Sequence, residues 1–388
     1  MRRSAQAFGC IADGASVLLT RSGRSAIRLA LLDARIGQGD CFLVPNYYCP
    51  TMVAPAEAVG ARPVFYPITA AREPDLQWLR EQRFEGRVAM LAAHFFGLPI
   101  PLTEVRRWCD ERNIVLIEDC AHAFFGNHAG TPVGATGDYA VASLPKFFPV
   151  LEGGMLASRR HRVAAQSLPK PAWVFELKGA WNLFEAAAES GSGRVRSVAT
   201  LASRVFARRG TARAAAAPSV AQEDVSPEQV RREGLSDELL RPMRLRRLEA
   251  WLIEHSHRRR IEQNRRSNYQ RLAQLLIARG VQVLYPELDA GAVPYVLPVY
   301  VPDPDRTYGM LRAARIPAYR WDRYWPGAIS TAEDLGRRWG HHVLQLSCHQ
   351  DLGPQDLRAV ADLISRGLGA RSAGPSGTQA AGAQSAMQ

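Results

Sequence analysis

Ser143-Leu144-Pro145-Lys146-Phe147-Phe148-Pro149-Val150-Leu151-Glu152-Gly153-Gly154 is the stretch on which the reading of the fold turns. It follows an apolar run, Tyr139 to Ser143, that reads as a strand. Lys146 is set among Phe147, Phe148 and Val150, and burial disfavours an ammonium charge. An amine whose pKa is depressed in this way is a better nucleophile for a carbonyl. The plainer reading is a lysine whose stem is covered while its head reaches solvent. Lysine is scarce here: of 49 basic residues, only Lys146, Lys170 and Lys178 are lysines. Chemistry that needs an amine therefore has three candidates.

Upstream, short apolar runs alternate with helical patterns from residue 22 to residue 160. Cys41 to Pro45, Pro63 to Tyr66, Val88 to Ala93, Ile114 to Ile117 and Tyr139 to Ser143 read as strands. Ser25 to Ala34 and Leu102 to Arg112 read as helices. Such alternation predicts an α/β domain with a mainly parallel sheet between helices. Ligands of such sheets bind beyond the carboxyl ends of the strands. Two more stretches lie at such positions. Glu118-Asp119-Cys120-Ala121-His122 leaves the strand ending at Ile117; taken alone, Asp119 reads as a turn or helix cap. Ser22-Gly23-Arg24-Ser25-Ala26 opens a helix, where free N–H groups attract phosphate; alone it reads as a serine cap.

A lysine, a carboxylate and a phosphate cup at strand ends of one sheet are the parts of a pyridoxal 5′-phosphate (PLP) site. The order of motifs resembles the DegT-type nucleotide-sugar aminotransferases from about Thr20 to Arg366. Ser22-Gly23-Arg24-Ser25-Ala26-Ile27 resembles their phosphate turn, and Gly39-Asp40 through Val44-Pro45 an early strand. His94-Phe95-Phe96-Gly97, Glu118 to His122 and Gly137-Asp138 resemble further family motifs. So do Lys146 with Glu152-Gly153-Gly154, and Leu344 to Gln350.

The resemblance implies fold type I, with a large domain built on a seven-stranded, mainly parallel sheet and a smaller α+β C-terminal domain. It implies a homodimer in which Lys146 is catalytic and holds PLP covalently. Asp119 would pair with the ring nitrogen and His122 would lie against the ring. Gly23, Arg24, Ser25 and Ser143 would hold the phosphate. One of Tyr47, Tyr48 and Cys49 would stack on the ring; Tyr48 is taken as the candidate. The implied reaction moves an amino group from glutamate to a keto-sugar nucleotide or related keto substrate, for polysaccharide or secondary-metabolite sugars. The alternative is a relative that keeps the fold as a binding or regulatory protein. The chain departs from the family in two places. Ser143 stands three residues before the lysine, where relatives have a serine five before. Arg241-Pro242-Met243-Arg244 stands where they carry an Asn-Tyr-Arg-Met-Ser-like segment.

The expected organisation is an N-terminal segment (1–19), the large domain (20–235), the small domain (236–369) and a disordered Gly/Ala/Ser/Gln-rich tail (370–388). Residues 160–235 form an Arg/Ala-rich insert within the large domain. One long helix is predicted from Asp237 to Ala278, with Leu245, Leu248, Leu252 and Ile253 as its apolar stripe. Strands are predicted at Val281 to Tyr285 and Tyr295 to Val301, and helices at Pro304 to Arg315 and Pro354 to Arg366.

A net charge of +12 raises the question of nucleic acid. No zinc-finger spacing or RNA-binding aromatic motif supports that partner. His341-His342 and His255-x-His257 lack partners at ligand spacing, so no metal is expected. Six scattered cysteines without C-x-x-C, no membrane-length apolar run and no signal-peptide pattern point to a cytoplasmic protein. Arginines recur without acids between Gly191 and Val220. Contact of this stretch with an anionic membrane surface is the weaker reading beside a solvated helix.

Overall fold

Continuous apolar runs with no polar alternation, such as Cys41-Phe42-Leu43-Val44 and Val88 to Ala93, are the mark of strands covered on both faces. The computed structural model, which describes residues 8–163, 168–190, 225–328 and 334–369, places them there. Seven strands form the main sheet: β1 (Ser16–Thr20), β2 (Cys41–Pro45), β3 (Arg62–Tyr66), β4 (Val88–Ala93), β5 (Val115–Asp119), β8 (Tyr139–Ser143) and β9 (Gly154–Ser158). β6 (Asn127–His128) and β7 (Thr131–Pro132) make a separate small ribbon between β5 and β8. The main sheet runs β1-β9-β8-β5-β4-β2-β3. The pairs from β3 to β8 are parallel, and β9 is antiparallel to both its neighbours. Every residue of β2 and β4 is buried. The expected mainly parallel α/β sheet is thus observed, with one reversed strand.

The helix Gly23–Asp33 buries Ala26, Ile27, Leu29, Ala30 and Leu31, and packs on β8 and β9. A second, four-stranded antiparallel sheet carries the C-terminal part: β10 (Gln282–Val283), β11 (Val296–Tyr300), β13 (Val343–Ser347) and β12 (Ala318–Tyr319), in that order. The helices Arg258–Ile277 and Pro354–Gly369 pack on each other, and the first also packs on β10 and β11.

The single helix expected over Asp237 to Ala278 is broken. A short 3-10 turn (Glu238–Leu240) precedes two helices, Arg247–Glu254 and Arg258–Ile277, that meet at a bend near His257. Ser256 there turns its hydroxyl back to the Leu252 carbonyl, a local bond that competes with the helix ladder. Of the expected stripe, Leu245 and Ile253 are buried whereas Leu248 is exposed. The acid-free stretch Gly191 to Val220 and the tail 370–388 lie outside the described residues.

The two sheets meet through close backbone approaches. Tyr295 N–H donates to the Phe96 carbonyl at 2.8 Å. Gly97, at φ +86°, allows this, because a Cβ there would stand 2.4 Å from Tyr295 N. Gln345 on β13 donates to the Tyr47 hydroxyl at 2.9 Å. No described helix is long and apolar enough to cross a membrane.

Candidate active site

Parallel strands β4, β5 and β8 end together, and a cavity of about 330 Å³ opens at their carboxyl ends. Its walls include Ala93, Asp119 and Ser143 from those ends, Ser22, Gly23 and Arg24 from the helix start, and Lys146 from the turn after β8. Tyr295, Tyr319, Trp321 and Gln345 close it from the small sheet. A volume of this size is at the lower end of small-molecule sites.

The helix start is organised by serine. Ser22 Oγ accepts from Ser25 N–H at 3.1 Å and donates to the Leu239 carbonyl at 2.5 Å. Ser25 Oγ contacts Thr20 Oγ1 at 3.0 Å and donates to the Ser22 carbonyl at 2.8 Å. The first-turn N–H groups of Gly23 and Arg24 have no intrahelical acceptor, as at any helix start, and both residues line the cavity. β9 crosses this turn very closely: a Cβ on Gly154 would lie 2.0 Å from the Ser22 carbonyl oxygen and 2.6 Å from Gly23 N. The Glu152-Gly153-Gly154 motif therefore serves a backbone crossing, while Glu152 itself pairs with Arg21 (3.1 Å) and Arg246 (3.0 Å) at the cavity rim.

Lys146 ends a 3-10 turn, Leu144–Lys146. Its residue surface is half-buried, and it lines the cavity. Nζ stands 5.4 Å from the Tyr295 ring centre. Burial pulls the amine below the ordinary lysine range against the opposing charges of Asp119 and Cys49, and Arg24 adds to the lowering. Asp119 accepts from Ala121 N–H at 2.8 Å. Burial raises its carboxyl, although Lys146, the Ala121 N–H and His94 all pull the other way. A buried carboxylate in this state is one that a further cation would stabilise.

His122 is driven well below its usual range by burial, then by the charge of Lys146, so its ring is neutral. It packs on Tyr295 and Trp321, with ring centres 4.7 and 5.2 Å away. Its Nδ1, like the Gln345 Oε1, is buried without a hydrogen-bond partner among the described residues.

Of the eight site residues anticipated, Gly23, Arg24, Asp119, His122, Ser143 and Lys146 line the cavity. Two do not. The Ser25 hydroxyl is spent inside the cap, on Thr20 and Ser22. Tyr48 points into the core: its ring lies 4.8 Å from Phe65 and its hydroxyl accepts from Trp325 N–H at 2.6 Å. Of the three consecutive candidates, Cys49 faces the cavity, and Tyr47 packs behind Trp321 with ring centres 4.9 Å apart. Arg24 is engaged by Asp237 in an ion pair at the cup. Tyr295, Tyr319 and Gln345 gave no local signal, since they reach the cavity from the second sheet. Among the described residues only His94, Glu118 and Cys120 come together at metal-ligand spacing. The Glu118 oxygens there are already held by the Gly134, Thr136 and Gly137 N–H groups and by His94.

The donor set fits PLP. The cavity brings together a depressed amine, a buried carboxylate short of a cation, a helix start with free N–H groups and a neutral imidazole.

A family model described as the DegT/DnrJ/EryC1/StrS aminotransferase family matches residues 4–178. The chain is 31% identical over 140 residues to GDP-perosamine synthase of Vibrio cholerae, covering 35% of this chain and 38% of that protein. It is 31% identical over 169 residues to dTDP-4-dehydro-2,3,6-trideoxy-D-glucose 4-aminotransferase of Saccharopolyspora spinosa, covering 40% and 43%. The matches thus span about two fifths of the length of these curated relatives. The fold is similar to that of S. venezuelae DesV, with a TM-score of 0.62 at 18% identity over 90% of this chain and 84% of that one. A DegT DnrJ EryC1 StrS aminotransferase from Brucella abortus gives 0.59 at 18% identity over 91% and 86%.

Proposed function

We propose that the chain, whose residues 4–178 match the family model of the DegT/DnrJ/EryC1/StrS aminotransferases, is a PLP-dependent aminotransferase acting on a keto-sugar nucleotide or related keto substrate. The observation that carries this reading is the pairing of Lys146 and Asp119 across one cavity, with a helix N-terminus beside them. The names of the relatives, which aminate or make amino sugars linked to nucleotides, support the acceptor class. Glutamate is the donor in this reading, and the functional unit is a homodimer.

When bound, PLP supplies a protonated ring that takes up the electron pair left on the substrate carbon. The rest is work of the chain. Gly23 and Arg24 N–H groups and the Ser143 end of β8 receive the phosphate. Lys146 Nζ, kept short of its ordinary proton affinity by burial, is the amine that would hold the cofactor and would carry a proton at the substrate carbon. Asp119, a buried carboxylate, would hold a proton on the ring nitrogen, a cation that would offset its own burial. His122, uncharged, flanks the ring without competing for that proton. Trp321, Tyr319 and Tyr295 form the opposite wall.

Borohydride reduction in the presence of PLP, followed by peptide mapping, tests this. The cofactor should be fixed to Lys146, and Lys146→Ala should abolish the label. Label on Lys170 or Lys178, or none at saturating PLP, would overturn the reading.

A further inference from the structure

The turn that carries Lys146 is gripped from the second half of the chain. Arg265, on the helix Arg258–Ile277, is fully buried. Its three guanidinium nitrogens donate to three separate segments. Nη2 reaches the Lys146 carbonyl at 2.6 Å, Nη1 the Tyr295 carbonyl at 3.2 Å and Nε the Gln350 Oε1 at 2.8 Å. The guanidinium lies 4.7 Å from the Phe147 ring centre and 5.6 Å from that of Tyr295. Gln350 in turn donates from Nε2 to the Phe147 carbonyl at 3.4 Å.

The carbonyls that end a helical turn have no partner within it. Here the turn ends in a dry cluster of Phe124, Phe125, Phe147 and Phe148. Unpartnered carbonyls would be expensive in such a place. A tether of the turn alone could have been a neutral side chain. A buried guanidinium without a carboxylate at ion-pair distance among the described residues is a costly choice. What it offers is a planar fork that fixes three directions at once.

We propose that Arg265, seconded by Gln350, is a positioning residue: it holds the Lys146 backbone so that the amine stays inside the cavity. The inference rests on the reading of Lys146 as the reactive amine. Asp119 from β5, His122 after it, Arg24 from the helix start, Cys49 after β2 and Tyr295 before β11 surround that amine. They are left unchanged in the test. Release of the turn lets the amine leave its desolvated position, and its proton affinity then climbs toward the solvated value.

The measurement is trace acetylation of the cofactor-free protein as a function of pH, quantified for each lysine by mass spectrometry. The exposed Lys170 and Lys178 serve as internal references. In Arg265→Met the Lys146 labelling midpoint should rise by about half a pH unit or more, with labelling of Lys170 and Lys178 unaltered. Arg265→Lys, with a cation but no fork, should recover part of the shift. Gln350→Leu should move the midpoint the same way by less, and this variant decides the matter if Arg265→Met does not fold. An unmoved midpoint in a folded variant overturns the proposal and leaves Arg265 a tether. Borohydride mapping of the wild-type protein separately reports on Lys146, so failure of the two ideas is distinguishable.

Discussion

Glu118 and Asp119 are neighbours on β5, yet their carboxylates end in opposite environments. Glu118 accepts from the Gly134, Thr136 and Gly137 N–H groups at 2.8, 2.6 and 2.6 Å and sits 3.0 Å from His94 Nε2. Asp119 lines the cavity with one backbone N–H donor. Alternation along a strand separates them. One carboxylate is thereby committed to the architecture and the other is available to a ligand.

Glu118→Gln should therefore cost stability. The side chain keeps its shape but loses a charge held by several donors, a loss of about 2–4 kcal/mol. Burial alone would raise this carboxyl, but His94 and the Gly137 and Gly134 N–H groups outweigh it and leave it below its ordinary value. A depressed carboxyl contributes stability above its unfolded pKa and loses it as pH falls through the folded one. The gap between wild type and variant should be full at neutral pH and close below about pH 4.5. Urea denaturation at several pH values measures it; a gap that grows on acidification would refute the assignment.

Asp119→Asn should behave in the opposite way. The carboxyl is raised by burial, so removal of its charge should leave the melting temperature unchanged or slightly higher. PLP should still bind through the phosphate cup. The donor half-reaction should slow by about 100-fold or more, the scale lost when a preorganised charge is removed. Stopped-flow absorbance with glutamate reads it. A variant that reacts at the wild-type rate would mean that Asp119 does not face the ring nitrogen.

Gly154→Ala tests the crossing of β9 over the helix start. The added methyl would meet the Ser22 carbonyl and Gly23 N, both backbone atoms that cannot swing away. A loss of about 3 kcal/mol is expected, with weakened cofactor binding because the cup is displaced. Gly280→Ala is the control. It has φ +74° and open space around the new methyl, so only backbone strain of about 1 kcal/mol applies. Equal effects of the two, by thermal melting and PLP titration, would discount the crossing.

The buried strands were legible because both faces are covered. Cys41–Pro45, Val88–Ala93 and Tyr139–Ser143 coincide with the apolar runs that announce them. β1 and β9 were not anticipated: they pair antiparallel at the sheet edge, and β9 hides as a short run behind Gly153. That Lys146, Asp119 and Gly23 would share one cavity was legible because each directly follows or begins a regular element. Tyr48 was misplaced because the choice among Tyr47, Tyr48 and Cys49 depends on distant chain. Gln345 takes the Tyr47 hydroxyl and Trp325 the Tyr48 hydroxyl, and no local pattern encodes either. Ser25 was misjudged for a nearer reason. Its hydroxyl could serve a ligand or the cap, and Thr20 settles the matter from within the fold.

Glu262 offers a stability prediction free of the active site. It is fully buried on the helix Arg258–Ile277, and neither carboxylate oxygen has a hydrogen-bond partner among the described residues. Burial lifts its pKa to about 7, against the charges of Arg258 and Arg259. A carboxyl raised in the folded state stabilises the fold while it is protonated and loses that contribution as pH rises through the folded value. Between about pH 5 and pH 8 the wild-type protein should therefore weaken as this group ionises. Glu262→Gln cannot ionise and keeps nearly the same volume. The variant should match the wild type within about 0.5 kcal/mol at pH 5 and exceed it by about 1–2 kcal/mol at pH 8. That range lies below the full linkage value because a buried carboxylate that ionises draws in water and relaxes its surroundings. Chemical denaturation at the two pH values decides it: a variant less stable than the wild type at pH 8 would mean that Glu262 has an ionic partner in the folded chain.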